Sequence, residues 1–243
     1  MTHQRSLVDA LGTAIVRGEP PKGAVLNIEA LSHEYGVSRS VIREALRILE
    51  TLGMIVARQR VGITVLGREQ WQLLDPRVIA WRSHAHDAQT QLHELMQLRT
   101  IIEPAAAELA ADQGTDEQLA AIVRAAEEMA TTYRDRRVAA FARADLDFHS
   151  AIVAAASSSV LTQLSDTVLA ALRLRYSGSV PVFDDEGERA LSIHVRLADA
   201  LASRDAVTAA GLTRTLVDHT RDRLDESARR TGNAATVPAD HEE

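Results

Sequence analysis

Gly36-Val37-Ser38-Arg39-Ser40-Val41-Ile42-Arg43-Glu44-Ala45-Leu46-Arg47 is the stretch that decides how this chain folds. It reads as a turn followed by an amphipathic helix. Arg39, Arg43 and Arg47 recur every four residues and so share one helical face. Val41, Leu46 and Leu49 lie on other faces, with Ala45 and Ile48 between them. Upstream, residues 28–35 read as a shorter helix. Gly36 ends it, because glycine tolerates the left-handed conformation that follows a helix C-terminus. Ser38 supplies an N-cap for the next helix. Helix, glycine turn and capped, arginine-faced helix make a helix-turn-helix pattern, and such a helix suits the major groove of DNA. Charge spacing alone also describes an ordinary solvated basic face, so the surrounding chain has to settle the matter.

Residues 55–65 hold two short β segments, with β-branched residues at both ends and a basic stretch and Gly62 in the turn. A basic-tipped hairpin after a recognition helix is a wing that reaches the DNA backbone or minor groove. Leu7, Leu11, Ala14 and Ile15 mark a first amphipathic helix, which Arg17-Gly18-Glu19-Pro20-Pro21-Lys22-Gly23 breaks. Residues 6–66 resemble the winged helix-turn-helix domain of GntR-type bacterial transcription regulators. The match runs from Leu31 to Ile55 and centres on the string VSR-x-x-x-REALR-x-L-x-x-x-G. The resemblance implies that Ser38, Arg39, Ser40, Arg43 and Gly62 touch double-stranded operator DNA; the arginine face adds Arg47 and the basic wing adds Arg60. Many relatives have arginine where this chain has Glu29. A carboxylate cannot donate to a guanine or a phosphate, so a different operator preference is expected.

Composition fits a two-domain regulator. At 243 residues two domains are the prior, and 46% hydrophobic residues suffice for real cores. Aromatics are only 3%, so those cores are aliphatic, as in helical proteins. With no cysteine, disulfides and thiolate metal sites are excluded and a reducing compartment is suggested. There is no apolar run of about 18 residues to span a membrane and no signal-peptide core; a cytoplasmic protein is expected. The net charge of −7 divides unevenly: residues 1–67 hold eight Lys/Arg against six Asp/Glu, or +2, leaving −9 for the rest. The basic balance belongs to the DNA-facing part. Its small size implies few phosphate contacts per subunit and a homodimer to reach useful affinity.

Residues 68–90 are expected to form a linker, pinned to a domain surface by Trp71 and Trp81 around a Leu-Asp-Pro turn. The string W-x-L-L-D-P-x-V-I-x-W resembles the junction of GntR-type regulators of sugar-acid metabolism, the galactonate and gluconate type. From Gln91 the chain reads as six or seven helices. Pro104 is expected to kink or restart the first, Thr115 to cap the second, residues 178–187 to form the longest loop, and residues 229–243 to be a disordered tail. The expected fold is therefore mainly α: a winged helix-turn-helix over 1–67, then an all-helical effector-binding and dimerisation bundle over 91–228.

The chemistry is expected in the bundle. Asp145 and His149 are four apart on one helix, and Ile152 and Ala156 continue that face inward. His194 shares a face with Leu197 and Leu201, and His219 with Leu212 and Leu216. A buried aspartate is costly unless a cation compensates it. One Asp and three His make an oxygen–nitrogen set suited to zinc, nickel, manganese or iron. Taken alone, an Asp-x-x-x-His pair is more often a cap or surface pair. Residues 92–226, however, resemble the all-helical effector domain of the FadR branch, called FCD, through Arg99-x-x-x-Glu103, Asp145-x-x-Phe148-His149, the His194 helix and His219. That resemblance implies metal ligation by Asp145, His149, His194 and His219, with zinc placed first. It also implies a small carboxylate effector on Arg99, through a charge-assisted fork, with Glu103 and Ser159 beside it. Relatives often carry asparagine at Ser159, so the polar contacts to effector are expected to differ. Two other readings use the same residues. A metal-dependent hydrolase lacks a further general base in a recognisable motif and leaves the N-terminal part unexplained. A metal-free regulator binding an acid or acyl group sits poorly with so polar a set.

Overall fold

The computed structural model describes residues 2–177 and 183–234. The chain divides into two compact units between Leu92 and His93. The fold is mainly helical with one small antiparallel sheet.

The first unit runs α1 (Thr2–Val16), β1 (Val25–Leu26), α2 (Ile28–Glu34), α3 (Arg39–Thr51), β2 (Ile55–Arg58), β3 (Gly62–Val65), a 3₁₀ turn (Arg68–Gln70) and α4 (Pro76–Arg82). Local chemistry sets the helix-turn-helix. The Asn27 side chain accepts the Ala30 N–H at 3.0 Å and starts α2. Gly36 takes φ +62° beyond its end. Ser38 Oγ accepts the Val41 N–H at 3.4 Å and starts α3. α3 buries Ile42, Ala45, Leu46 and Leu49 against Leu7 and Leu11 of α1 and against Met54 and Ile55. Each buried Ile or Leu among them contributes about 1.5–3 kcal/mol. Ile42 is wholly buried and Val41 only half-buried, so the apolar stripe is turned one position from the one expected.

The sheet has order β1–β3–β2, both pairings antiparallel, with Ile55 opposite Val65, Arg58 opposite Gly62 and Val25 opposite Thr64. β2 and β3 are the expected wing. β1 was not foreseen, since two residues carry no periodicity. Gly62 has φ +101°, a conformation that side chains rarely adopt, and a Cβ there would meet Val25 Cγ1 at 3.0 Å.

The segment expected as a linker is built into this unit. Asp75 caps α4, and Val78 and Trp81 join the unit's core. Trp81 Nε1 donates to Asp9 Oδ1 at 3.0 Å. Its ring lies on Gly12 of α1, where a Cβ would come within 2.5 Å of ring carbons. Arg82, 2% exposed, donates to Asp87 Oδ2 from Nη2 at 2.7 Å, and Arg68 Nη1 reaches the same oxygen at 2.9 Å. A Trp pair ten apart reads as surface anchoring in sequence because nothing local reveals that a glycine 69 residues before Trp81 has made room.

The second unit holds most of α5 (Ala88–Gln113), then α6 (Asp116–Arg134), α7 (Val138–Ala155), α8 (Ser159–Ser177), α9 (Asp185–Ala202) and α10 (Ala206–Ala234). Pro104 neither ends nor restarts α5. It removes one intrahelical bond, but Ala106, Ala107, Ala110 and Ala111 are fully buried and hold the helix in the core. Thr115 starts α6 in a capping box with Gln118. α6 packs on α7 and α9, α7 on α8, and α9 on α10. Leu119, Ile122, Phe148, Leu197 and Leu201 fill the space between them. α10 continues through Ala234, past the expected end at 228. The expectations of a loop at 178–182 and of a disordered tail at 235–243 fall outside the described residues. No described helix is long and apolar enough to cross a membrane.

Candidate metal centre and nucleic-acid interface

α7 brings Asp145 and His149 to one buried face, and α9 brings His194 to meet them. All three are shielded from solvent, at 0%, 3% and 1% exposure. One ligand atom from each lies within 4.8 Å of the others. His194 Nε2 is 3.1 Å and His149 Nε2 3.7 Å from Asp145 Oδ1. Phe148 packs edge-on against both imidazoles, with ring centroids at 5.6 and 5.2 Å.

The far side of each ring fixes its chemistry. His194 Nδ1 donates to the Ala190 carbonyl at 2.7 Å. Burial lowers the His194 pKa, outweighing the pull of Asp145, so the ring is held neutral. The proton is on Nδ1, which leaves a lone pair on Nε2 facing a carboxylate oxygen. His149 Nδ1 lies 3.0 Å from Glu103 Oε2. Burial pushes the Glu103 carboxyl up, but Arg99 and His149 outweigh it and hold its pKa at about 2. An ionised Glu103 accepts the Nδ1 proton, and this turns Nε2 of His149 inward. Two imidazoles and a carboxylate converging in a dry interior make a nitrogen–oxygen set that a divalent cation can take. Imidazoles whose other nitrogen is committed to an acceptor are the usual surroundings of a metal.

His219 is not brought into this group. Its Nε2 lies 3.1 Å from the Glu186 carbonyl and its Nδ1 3.6 Å from Glu186 Oε2. Arg223, one turn along α10, binds Asp184 Oδ2 at 2.7 Å. Ser159 is exposed in the first turn of α8 and does not join the buried residues. Arg99 is 1% exposed, and its Nε and Nη2 both donate to the Glu103 carboxylate. Burial disfavours the guanidinium, but Glu103 outweighs it and Arg99 stays charged. Sequence spacing shows Glu103 one turn from Arg99. It does not show the bond to His149, which joins α5 to α7, nor Glu186 as the neighbour of His219.

In the first unit Ser38, Arg39, Ser40, Arg43, Arg47, Arg60 and Gly62 are all exposed. Arg39 Nη1 is 3.2 Å from Glu29 Oε1, and Arg47 Nη1 is 3.6 Å from Glu44 Oε2. Glu50 Oε1, at the end of α3, accepts the Ala57 N–H at 2.9 Å and ties the wing to the recognition helix. That tie went unnoticed in sequence.

The sequence matches the gntR family of bacterial regulatory proteins over residues 3–65 and the FCD domain over residues 94–219. The chain belongs to the GntR family. It is a DNA-binding transcription regulator of the FadR branch, with an FCD domain, and not an enzyme. The galactonate operon transcriptional repressor of Escherichia coli is 31% identical over 221 residues, spanning 90% of this chain and 96% of that protein. The LutR transcriptional regulator of Bacillus subtilis is 28% identical, over 80% of this chain and 89% of its own. Among solved structures, Lar, which controls expression of the Listeria monocytogenes agr system, superposes with a TM-score of 0.61 at 18% identity, covering 91% of this chain and 96% of Lar. That likeness shows the fold. Arg39, Arg43, Arg47 and Arg60 lie within the first match, and Arg99 through His219 within the second.

Proposed function

We propose that this regulator is a cytoplasmic homodimer, a repressor whose FCD domain binds a divalent metal, zinc in the first place, and a small carboxylate effector of the sugar-acid class. The convergence of Asp145, His149 and His194, each imidazole with its Nδ1 committed elsewhere, carries this reading. Asp145, His149 and His194 hold the ion, and His219 completes the set by leaving Glu186. A bound divalent ion supplies a Lewis-acidic position for a carboxylate or hydroxyl oxygen of the effector. Arg99 offers its Nη1 edge to the effector carboxylate, its Nε edge being occupied by Glu103. The resemblance to the galactonate operon repressor supports a sugar acid and release of repression by ligand. Ser38, Arg39, Ser40, Arg43 and Arg47 enter the major groove, while Arg60 and Gly62 present the wing to the backbone or minor groove. Two copies then read two half-sites.

A thermal-shift screen of sugar acids and other small carboxylates, with and without chelator, joined to elemental analysis, tests the reading. About one divalent ion per chain is expected, together with a chelator-sensitive rise in melting temperature with a sugar acid. A protein without metal even after reconstitution defeats the metal site. A shift that survives chelator leaves an acid-binding regulator without an ion.

A further inference from the structure

Both oxygens of Glu103 are spent inside the protein. Oε1 accepts from Arg99 Nε; Oε2 accepts from Arg99 Nη2 at 3.3 Å and from His149 Nδ1 at 3.0 Å. The residue is 3% exposed, and each of its oxygens already accepts a hydrogen bond from inside the protein. The resemblance to FCD domains implies Glu103 beside the effector; its hydrogen bonds run to Arg99 and His149. His194 is oriented by a main-chain carbonyl of its own helix, Ala190, so its tautomer follows from helix formation alone. His149 has no such support. Its Nδ1 is held by a side chain from a different helix, α5, and that side chain is itself clamped by a buried arginine.

We propose that Glu103 is a positioning residue for metal binding: it fixes the ring and tautomer of His149 so that Nε2 faces Asp145, and Arg99 fixes Glu103. This rests on the metal reading above. An acceptor at Nδ1 excludes the tautomer whose lone pair would point away from Asp145. A charged acceptor also raises the basicity of Nε2, which strengthens it as a ligand. Without Glu103 the ring is free to turn or change tautomer, and that freedom is lost again on each binding event.

Zn²⁺ affinity, measured on the full chain by competition with a chromophoric chelator, tests the role. Glu103→Gln is expected to weaken Zn²⁺ binding 10- to 100-fold. Glu103→Asp, which keeps the charge, should recover part of that loss. Because Glu103→Gln leaves Arg99 buried without a counter-ion, the pair variant Arg99→Met with Glu103→Gln removes both charges and keeps the fold testable; it should bind as weakly as the single variant. Co²⁺ in place of Zn²⁺ supplies a visible spectrum that reports the ligand set, and it should change in both Gln variants. A merely structural role would lower melting temperature and leave the cobalt spectrum and the Asp rescue unmoved. Wild-type affinity and spectrum in the pair variant overturn the proposal alone. A wild type that takes up neither Zn²⁺ nor Co²⁺ overturns the metal reading, and this proposal with it.

Discussion

Arginine does opposite work in the two units. Arg43 stands in solvent on α3, and among the described residues it has no carboxylate within ion-pair distance. Arg99 is buried in the bundle and its guanidinium lies against Glu103. An exposed charge is stabilised by water and waits for its partner at little cost to the fold. A buried one loses hydration worth several kcal/mol, so the chain must neutralise it before any ligand arrives. The exposed face of α3 thus carries arginines that are free or only in weak surface pairs, while the buried group in the bundle is a coupled network. The fold in one region tolerates what the other cannot.

The contrast is broken most directly in the bundle. Arg99→Met should lose about 3–5 kcal/mol of stability, because Glu103 is left buried without its cation. Urea unfolding measures it, and a loss under about 1 kcal/mol would put the pair on the footing of a surface ion pair. Under native conditions the same variant should still bind operator duplex when no effector is present. Next in size is His194→Ala. It should strip the ion and with it the linkage stabilisation, about 2.7 kcal/mol when free metal exceeds Kd a hundredfold. Chelator should lower the wild-type melting temperature and leave the variant's unchanged.

Arg43→Ala sharpens the other side. Affinity for a duplex selected from random sequences should fall by about 1–3 kcal/mol per subunit, felt twice in a dimer, with stability within about 0.5 kcal/mol of wild type. Titration by gel shift at fixed salt, beside urea unfolding, reads both. If Arg43→Ala destabilised the fold as Arg99→Met does, the distinction between the two arginines would collapse. The smallest effect belongs to Glu29→Gln. Arg39 and Glu29 are 66% and 60% exposed, so their pairing is worth about 0.2–1 kcal/mol. Removing the carboxylate frees Arg39 for phosphate. Binding to mixed-sequence duplex should tighten a few-fold, with a salt dependence steeper by about one phosphate per subunit. An unchanged salt slope would take Arg39 off the phosphates.

The helix-turn-helix was legible from Ile28 to Arg47 once the wing that follows it was read as well, because everything that makes it is local. A glycine at φ +62°, a capping serine and arginines spaced by the helical repeat act within two turns of chain. The same holds for the Thr115 capping box and for Asp145 and His149, which meet because they are four apart on one helix. These elements follow from φ/ψ preference and periodicity, and no packing is needed to infer them. Distant pairings were settled by packing. Trp81 is core because Gly12 leaves room for its ring. β1 exists because β3 offers it an edge. Glu103 on α5 meets His149 on α7, whereas His219 lies against Glu186, although in sequence its apolar face looked as inward as that of His194. A helix's periodicity tells which face turns inward but not which neighbour it finds there; that depends on helix placement, which the burial of side chains far apart in the chain sets collectively.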